Sequence, residues 1–172
     1  MSIMKRLFGR TRHLDVKRSI TASSLDTVVE QVDKATRWDT VVLHITSSGG
    51  ITSSAYSLIK AIQTTEARVV AKVSVECASA AAMILIRCDE VIMDGDTRVL
   101  FHYPRIPASA GGVHVLVPSD AKAKPYHEEL AYFTAEFKRL VRSGVLTHQE
   151  FFALNDEQDV VMTGAEYIRR GV

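Results

Sequence analysis

Three short segments carry residue types that acyl transfer requires. Ser79 stands in the small-residue run Cys77–Ala82, after a valine-rich stretch. His102 follows 23 residues later, behind the apolar Arg98–Phe101 and ahead of Tyr103-Pro104. Gly49-Gly50 closes a third apolar stretch. A serine hydroxyl supplies a nucleophile and an imidazole supplies a base. Backbone N–H groups at a glycine turn or a helix start supply donors for an oxyanion. Singly, each feature is ordinary: a Gly-Gly turn, a serine helix cap and a strand-end histidine. Their shared position at strand ends is what points to chemistry. An acid must also orient the imidazole. Asp89, Asp94, Asp96, Asp156 and Asp159 are the candidates, and spacing does not choose among them.

The elements that must position these residues follow from periodicity. Helical spacing covers Ser24–Arg37 and Ile51–Thr64. Strands are expected over Thr40–Thr46, Arg68–Val75, Glu90–Met93 and Arg98–Phe101. Ser79–Arg87 is almost wholly apolar, so it reads as a short buried helix. Pro107, Gly111, Gly112 and Pro118 mark a loop that encloses a strand, Val113–Val117. Lys122–Arg142 reads as a long helix with Pro125 in its first turn and Gly144 at its end. Thr147–Leu154 and Thr163–Arg170 each open with a Thr-x-x-Glu capping pattern. Alternating strands and helices predict an α/β domain with a largely parallel sheet. Ligands in such sheets bind beyond the carboxyl ends of the strands, where Gly49-Gly50 and Ser79 fall. His44 sits on a strand expected to be buried, which suits a packing role. His13, His114, His127 and His148 have no setting like that of His102.

Bulk properties bound the function. The 172 residues suffice for one domain with a sizeable core. Apolar content of 47% and charged content of 24% are those of an ordinary globular protein. The net charge of +1 gives no overall pull toward nucleic acid. Basic residues do concentrate near the start: Lys5, Arg6, Arg10, Arg12, Lys17 and Arg18 stand against Asp15 alone. Residues 1–18 read as a basic, solvated arm. Met1 to Phe8 holds no signal-peptide run, and the apolar Ala78–Ile86 is too short to span a membrane. Two cysteines, Cys77 and Cys88, fit a reducing compartment, and cytoplasm is the expectation. Neither has metal-ligand company, and no cofactor or metal is expected.

Four segments together resemble the Clp protease proteolytic subunit, ClpP, within the wider ClpP/crotonase-like superfold. Ser47-Ser48-Gly49-Gly50 resembles that family's Ser-Pro-Gly-Gly oxyanion segment. Cys77-Ala78-Ser79-Ala80-Ala81-Ala82 resembles its Ala-Ala-Ser-Met-Gly-Ala nucleophile segment. Arg98-Val99-Leu100-Phe101-His102-Tyr103-Pro104 resembles Arg-Val-Met-Ile-His-Gln-Pro. Asp159–Glu166 with Gly171-Val172 resembles Asp-Arg-Phe-Leu-Ser-Ala-x-Glu and Gly-Leu. The segments run from about Asp39 to Val172 in the family's order. The resemblance implies a single peptidase domain over 19–172, with repeated β-α units and a protruding handle made of a strand and a long helix. It implies Ser79 as nucleophile, His102 as general base and Asp159 as the orienting acid. Gly50 and Ala80 would supply the oxyanion donors, and Gly49, Ile51 and Thr52 would border the substrate. It implies a serine endopeptidase whose core chemistry needs no ATP and which cuts unfolded or extended polypeptide in a homo-oligomeric ring, a heptamer or double ring. It also implies an AAA+ unfoldase as partner, although the basic leader is unlike the segment that docks one. Ser48 replaces proline, Ala80-Ala81 replaces Met-Gly, and Glu76 is a charge where the family is small or apolar.

Three other readings are compatible with parts of the pattern. A Ser–Lys dyad of the signal-peptide-peptidase type could use Lys122 or Lys124, which lie 43 and 45 residues after Ser79. A catalytically weak ring subunit or scaffold would tolerate the departures. A crotonase-type acyl-CoA enzyme would share the fold and a backbone oxyanion hole without needing the serine, histidine and aspartate.

Overall fold

In a computed structural model, residues 9–108 and 111–171 are described. Met1–Phe8, which carries the start of the basic leader, and Val172 of the terminal Gly-Val pair lie outside the described residues. The first half of the chain is built as β1 (Thr11–Ile20), α1 (Ala22–Asp33), β2 (Thr40–Gly50), α2 (Thr52–Thr64), β3 (Arg68–Ala78), α3 (Ala80–Leu85), β4 (Glu90–Met93) and β5 (Arg98–Phe101). There follow β6 (Arg105–Pro107), β7 (Val113–Val115), a 3-10 turn (Ala121–Tyr126), α4 (His127–Ser143), α5 (His148–Asn155), β8 (Val160–Thr163) and α6 (Gly164–Gly171).

The main sheet runs β1-β2-β3-β5-β8, with β4 also paired to β3. All its pairings are parallel except β5–β8. Helices α1, α2 and α3 cover one face. Val41, Leu43 and Ile45 of β2 and Val69, Ala71 and Val73 of β3 point into that core, alternating with the opposite face as a strand requires. Helix α3 is sealed in, as its composition predicts, with no residue more than 2% exposed. β6 and β7 form a separate antiparallel hairpin.

Three expectations change. Residues 11–18 of the basic leader are not an arm but most of β1, paired in parallel with β2 from Thr11–Thr40 onward. Val16 and Ile20 anchor the strand in the core, each 1% exposed. One of its basic residues, Arg12, has a partner that the charge count missed, the carboxylate of Asp39. That carboxylate accepts from the Arg10 backbone N–H at 2.8 Å and the Thr36 N–H at 2.9 Å, with Arg12 at 3.4 Å. His44 is half-buried rather than core, because it alternates with Leu43 and Ile45 and so lies on the sheet's open face. There its ring stacks on His13, with centroids 5.2 Å apart. The long helix begins later than expected: Pro125 lies in the 3-10 turn, and α4 starts at His127. Proline has no N–H to donate, so the tighter turn precedes the regular helix. Gly144 ends α4 in the left-handed conformation, and Thr147 closes the capping box with Glu150.

Backbone N–H bonds from Thr36 and Arg10, with the Arg12 charge, hold Asp39 well below the usual carboxylate range, at about 2. A folded-state pKa below the unfolded value of 3.8 stabilises the fold above that pH, and the gain is lost as pH falls through 2. Asp39→Asn is therefore expected to cost about 2 kcal/mol at neutral pH. It should also flatten the decline of the thermal midpoint between pH 4 and pH 2, as calorimetry across that range would show.

Candidate active site

The site forms where β2, β3 and β5 end. Both neighbouring ladders are irregular just before it. The β1–β2 register shifts between Lys17 and Ser19, and the β2–β3 register shifts between Ile45 and Ser47. The residues at these bulges, Arg18 (φ 61°) and Val75 (φ 64°), take left-handed backbone that only a bulge would impose on them. A bulge re-aims a strand end, and here the ends of β2 and β3 are turned toward each other. Ser47 ties the turn: its hydroxyl accepts from the Gly49 N–H at 3.1 Å and donates to the Arg18 carbonyl.

Gly49 is required by contact as well as by conformation. Its φ is +98°, and a Cβ there would lie 2.7 Å from the Ser79 Cβ and 3.1 Å from the Ala80 nitrogen. The glycine turn after β2 therefore rests against the serine after β3. Gly50 (φ +152°) is pressed on the other side against Ile20, whose carbonyl accepts from the Ile51 N–H at 2.8 Å.

Ser79 occupies the sharp turn between β3 and α3, with φ 57° and ψ −124°. Those angles are strained for a residue with a side chain, and they persist because both flanks are fixed. Behind it, the Ser79 N–H donates to the Leu100 carbonyl of β5 at 3.0 Å. Ahead of it lies the buried α3. Its hydroxyl caps no N–H of that helix, so the ordinary role of a serine at this position is unfilled. Cys77, two residues earlier, is fully buried, and burial pushes its thiol far up, which rules out an activated thiolate. Cys88 is likewise raised to about 12.

His102 and Asp159 meet through sheet register. In the antiparallel β5–β8 pair, Phe101 faces Val160, so the next residue of one strand and the preceding residue of the other are His102 and Asp159. His102 is half-buried and shares a hydrogen bond between Nδ1 and the Tyr103 carbonyl. Tyr103 is 1% exposed; its hydroxyl bonds Thr134 Oγ1 of α4 at 2.9 Å and donates to Asn155 Oδ1 of α5 at 3.3 Å. Its ring meets Phe137 edge-on, and Phe137 meets Phe101 likewise. The histidine is thus gripped on both sides by buried aromatics. Burial and the Arg105 charge lower its pKa from 6.5, against the opposing effects of the Tyr103 carbonyl and of Asp159. An imidazole so placed is neutral at pH 7 and free to accept a proton.

The catalytic contacts themselves are not made. Among the described residues no hydrogen bond joins Ser79 to His102 or His102 to Asp159. Asp159 is instead ion-paired with Arg105 at 2.5 Å, a residue that nothing in the chain singles out except its place three positions after the histidine. Glu76, unexplained by the sequence, pairs with Arg98 across the β3–β5 ladder, where the two are register partners. Of the substrate-side residues, Thr52 borders a pocket of about 300 Å³ beside Ala80, whereas Ile51 is 53% exposed. Lys122 and Lys124 are both exposed on the 3-10 turn and neither lines that pocket. No described group of three or more His, Cys, Asp or Glu is placed to hold a metal ion.

The family model for Clp protease matches residues 1–172, the whole chain. The chain belongs to the Clp protease family. Membership implies a serine-type peptidase, and the family generally forms oligomeric rings and acts on polypeptides. It also extends the relationship across β1 and α1, beyond the stretch that carries the motif likeness. A search of the curated proteins returned no match. No described helix of this Clp protease family chain is long and apolar enough to cross a membrane.

Removing Arg105 deletes a charge that lowers the His102 pKa and frees the carboxylate that raises it. Both changes have the same sign. Arg105→Gln is expected to move the His102 ring titration, followed by NMR, to higher pH. A titration that stays in place would mean that burial alone sets it.

Proposed function

We propose that this chain is the proteolytic core of a Clp-type protease, a serine endopeptidase that cleaves unfolded or extended polypeptide without using ATP in the chemical step. The observation that carries the proposal is the junction of Gly49 with Ser79 and Ala80. It presents an uncapped serine on a strained turn at the start of a buried helix, within a glycine's reach of a second strand end. In this reading Ser79 is the nucleophile, His102 the general base and Asp159 the residue that orients the imidazole.

The oxyanion donors are the N–H groups of Gly50 and Ala80. The N–H groups on either side of Gly50 are committed, Gly49 to Ser47 and Ile51 to Ile20, so Gly50 is the donor left at this turn. Ala80 is the first residue of α3, and its N–H is one of the unpaired groups at a helix start. The β2–β3 ladder stops at Ser47–Cys77. A substrate strand can therefore add by backbone pairing along Ser48–Gly50 and place its carbonyl over Ser79. His102 takes the Ser79 proton as the hydroxyl attacks. The leaving amine receives that proton, and water then releases the acyl group.

The arrangement described is a resting one. Turning His102 toward Ser79 requires it to leave the Tyr103 carbonyl, and Asp159 must exchange Arg105 for the imidazole. Ring assembly or substrate entry would supply that exchange. The chain is proposed to work as a homo-oligomeric ring, in a reducing compartment such as the cytoplasm, where both its cysteines are free. The unpaired triad also suits a second reading, a catalytically silent ring subunit.

A fluorophosphonate probe separates the two. Wild-type protein is expected to be labelled and Ser79→Ala protein not, while His102→Ala should slow labelling by roughly 10²–10⁴-fold. The oligomeric state is read in the same sample by light scattering. A well-assembled ring that takes no label would reject the peptidase reading in favour of the silent subunit.

A further inference from the structure

The pocket beside the nucleophile is chemically unusual. Its walls include Tyr56, Met83, Tyr132 and Phe133, yet Glu128 and Glu129 also line it. We propose that this pocket receives a basic side chain, so that the enzyme cleaves after lysine or arginine, with Glu129 as the specificity-determining residue. The proposal rests on the peptidase reading above and names the substrate class for the same site.

Position comes first. Ala80 and Thr52 both border the pocket. One directly follows the nucleophile, and the other follows the glycine turn by two residues. A carbonyl carbon held at Ser79, with its oxygen toward Gly50 and Ala80, leaves its own side chain at the pocket mouth. A volume of about 300 Å³ is at the small end for ligand sites and suits one side chain.

The chemistry of the walls then selects among side chains. Tyr56 and Tyr132 meet edge to face at 4.8 Å and give an apolar, aromatic channel. Lysine and arginine bury long methylene stems along such surfaces, and their heads are attracted to ring faces. One carboxylate oxygen of Glu129 is shut off from water and has no hydrogen-bond partner. Glu129 also lines the pocket, and buried polar atoms are almost always satisfied, so this carboxylate lacks the donor that a basic side chain would bring to it. Glu136, one helical stretch further along α4, shows the contrast: it is gripped by both Arg87 and Arg139. Among the described residues Glu128 and Glu129 make no ion pair. Acidic residues in a helix's first turn are common because they complement its dipole. That accounts for the charges of Glu128 and Glu129 but not for a carboxylate oxygen left without a donor on a residue that lines the pocket.

The test uses the assembled protein and fluorogenic peptides that differ only at the residue whose carbonyl is attacked: lysine, arginine, norleucine, leucine or glutamate. Lysine and arginine are expected to exceed norleucine in kcat/KM by about 10- to 100-fold, with glutamate poorest. Glu129→Gln should collapse the lysine-to-norleucine ratio, and Glu129→Asp should restore part of it. The wild-type comparison of lysine with norleucine stands even if a variant fails to fold. Labelled Ser79 with norleucine or leucine cleaved as well as lysine overturns this inference alone. So does a Glu129→Gln protein that loses activity equally on all peptides. No cleavage of any peptide together with an unlabelled Ser79 overturns the peptidase reading, and this inference with it.

Discussion

The contact on which the site depends is the approach of one strand end to another at Gly49. Two parallel strands that run straight would finish side by side, about 4.8 Å apart, with their side chains on the two faces of the sheet. Here bulges at Arg18 and Val75 bend the ladder, and the absence of a Cβ at Gly49 lets the backbone come in where a methyl group would sit 2.7 Å from the Ser79 Cβ. The strained turn at Ser79 can be held only because α3 behind it is immobile in the core and because its N–H is pinned to Leu100. The conformation of Ser79 is therefore held by packing on both of its flanks. Loosening either flank would let the turn relax into an ordinary cap.

A second support comes from outside the sheet. Helix α4 contributes Phe133 and Phe137 to the aromatic cluster around Tyr103, and Thr134 to its hydroxyl. The same helix lines the pocket with Glu129, Tyr132 and Phe133. The surroundings of His102 and the wall of the pocket therefore share one helix. A shift of α4 would move the carbonyl that holds His102 and the wall that a substrate side chain meets.

Much of this was legible in the chain. The β-α alternation, the buried α3 and the strand-end places of Ser79 and His102 follow from periodicity and composition, which report burial directly. What the sequence misjudged involves long-range pairing. Residues 11–18 look like a solvated basic arm because β1 lies at the sheet edge, where alternate residues face water and only Leu14, Val16 and Ile20 supply apolar contacts to the core. The carboxylate that pairs with Arg12, that of Asp39, is more than twenty residues away. His44 reads as a core residue because a strand's two faces cannot be told apart until the packing of its neighbours is known. Asp159 could be chosen among five acids only by likeness to a family. Its place opposite His102 is a matter of β5–β8 register, which no local pattern encodes.

The ion pair between Arg105 and Asp159 sets how the resting arrangement is left. Each side chain keeps about a third of its surface in solvent, 37% and 32%. Exposed pairs of this kind contribute only about 0–1 kcal/mol, because water screens the attraction and both side chains lose freedom. Moving Asp159 from Arg105 to His102 therefore asks for little energy, less than one good buried hydrogen bond to a charged group returns. The imidazole has a similar choice between a backbone carbonyl and a carboxylate, and the carboxylate is the stronger partner once the histidine takes up a proton. The balance thus tips at the moment of proton transfer. Burial, helped by the Arg105 charge, holds the His102 pKa down until then, and in the proposed mechanism assembly or a bound strand supplies the small push that completes the triad.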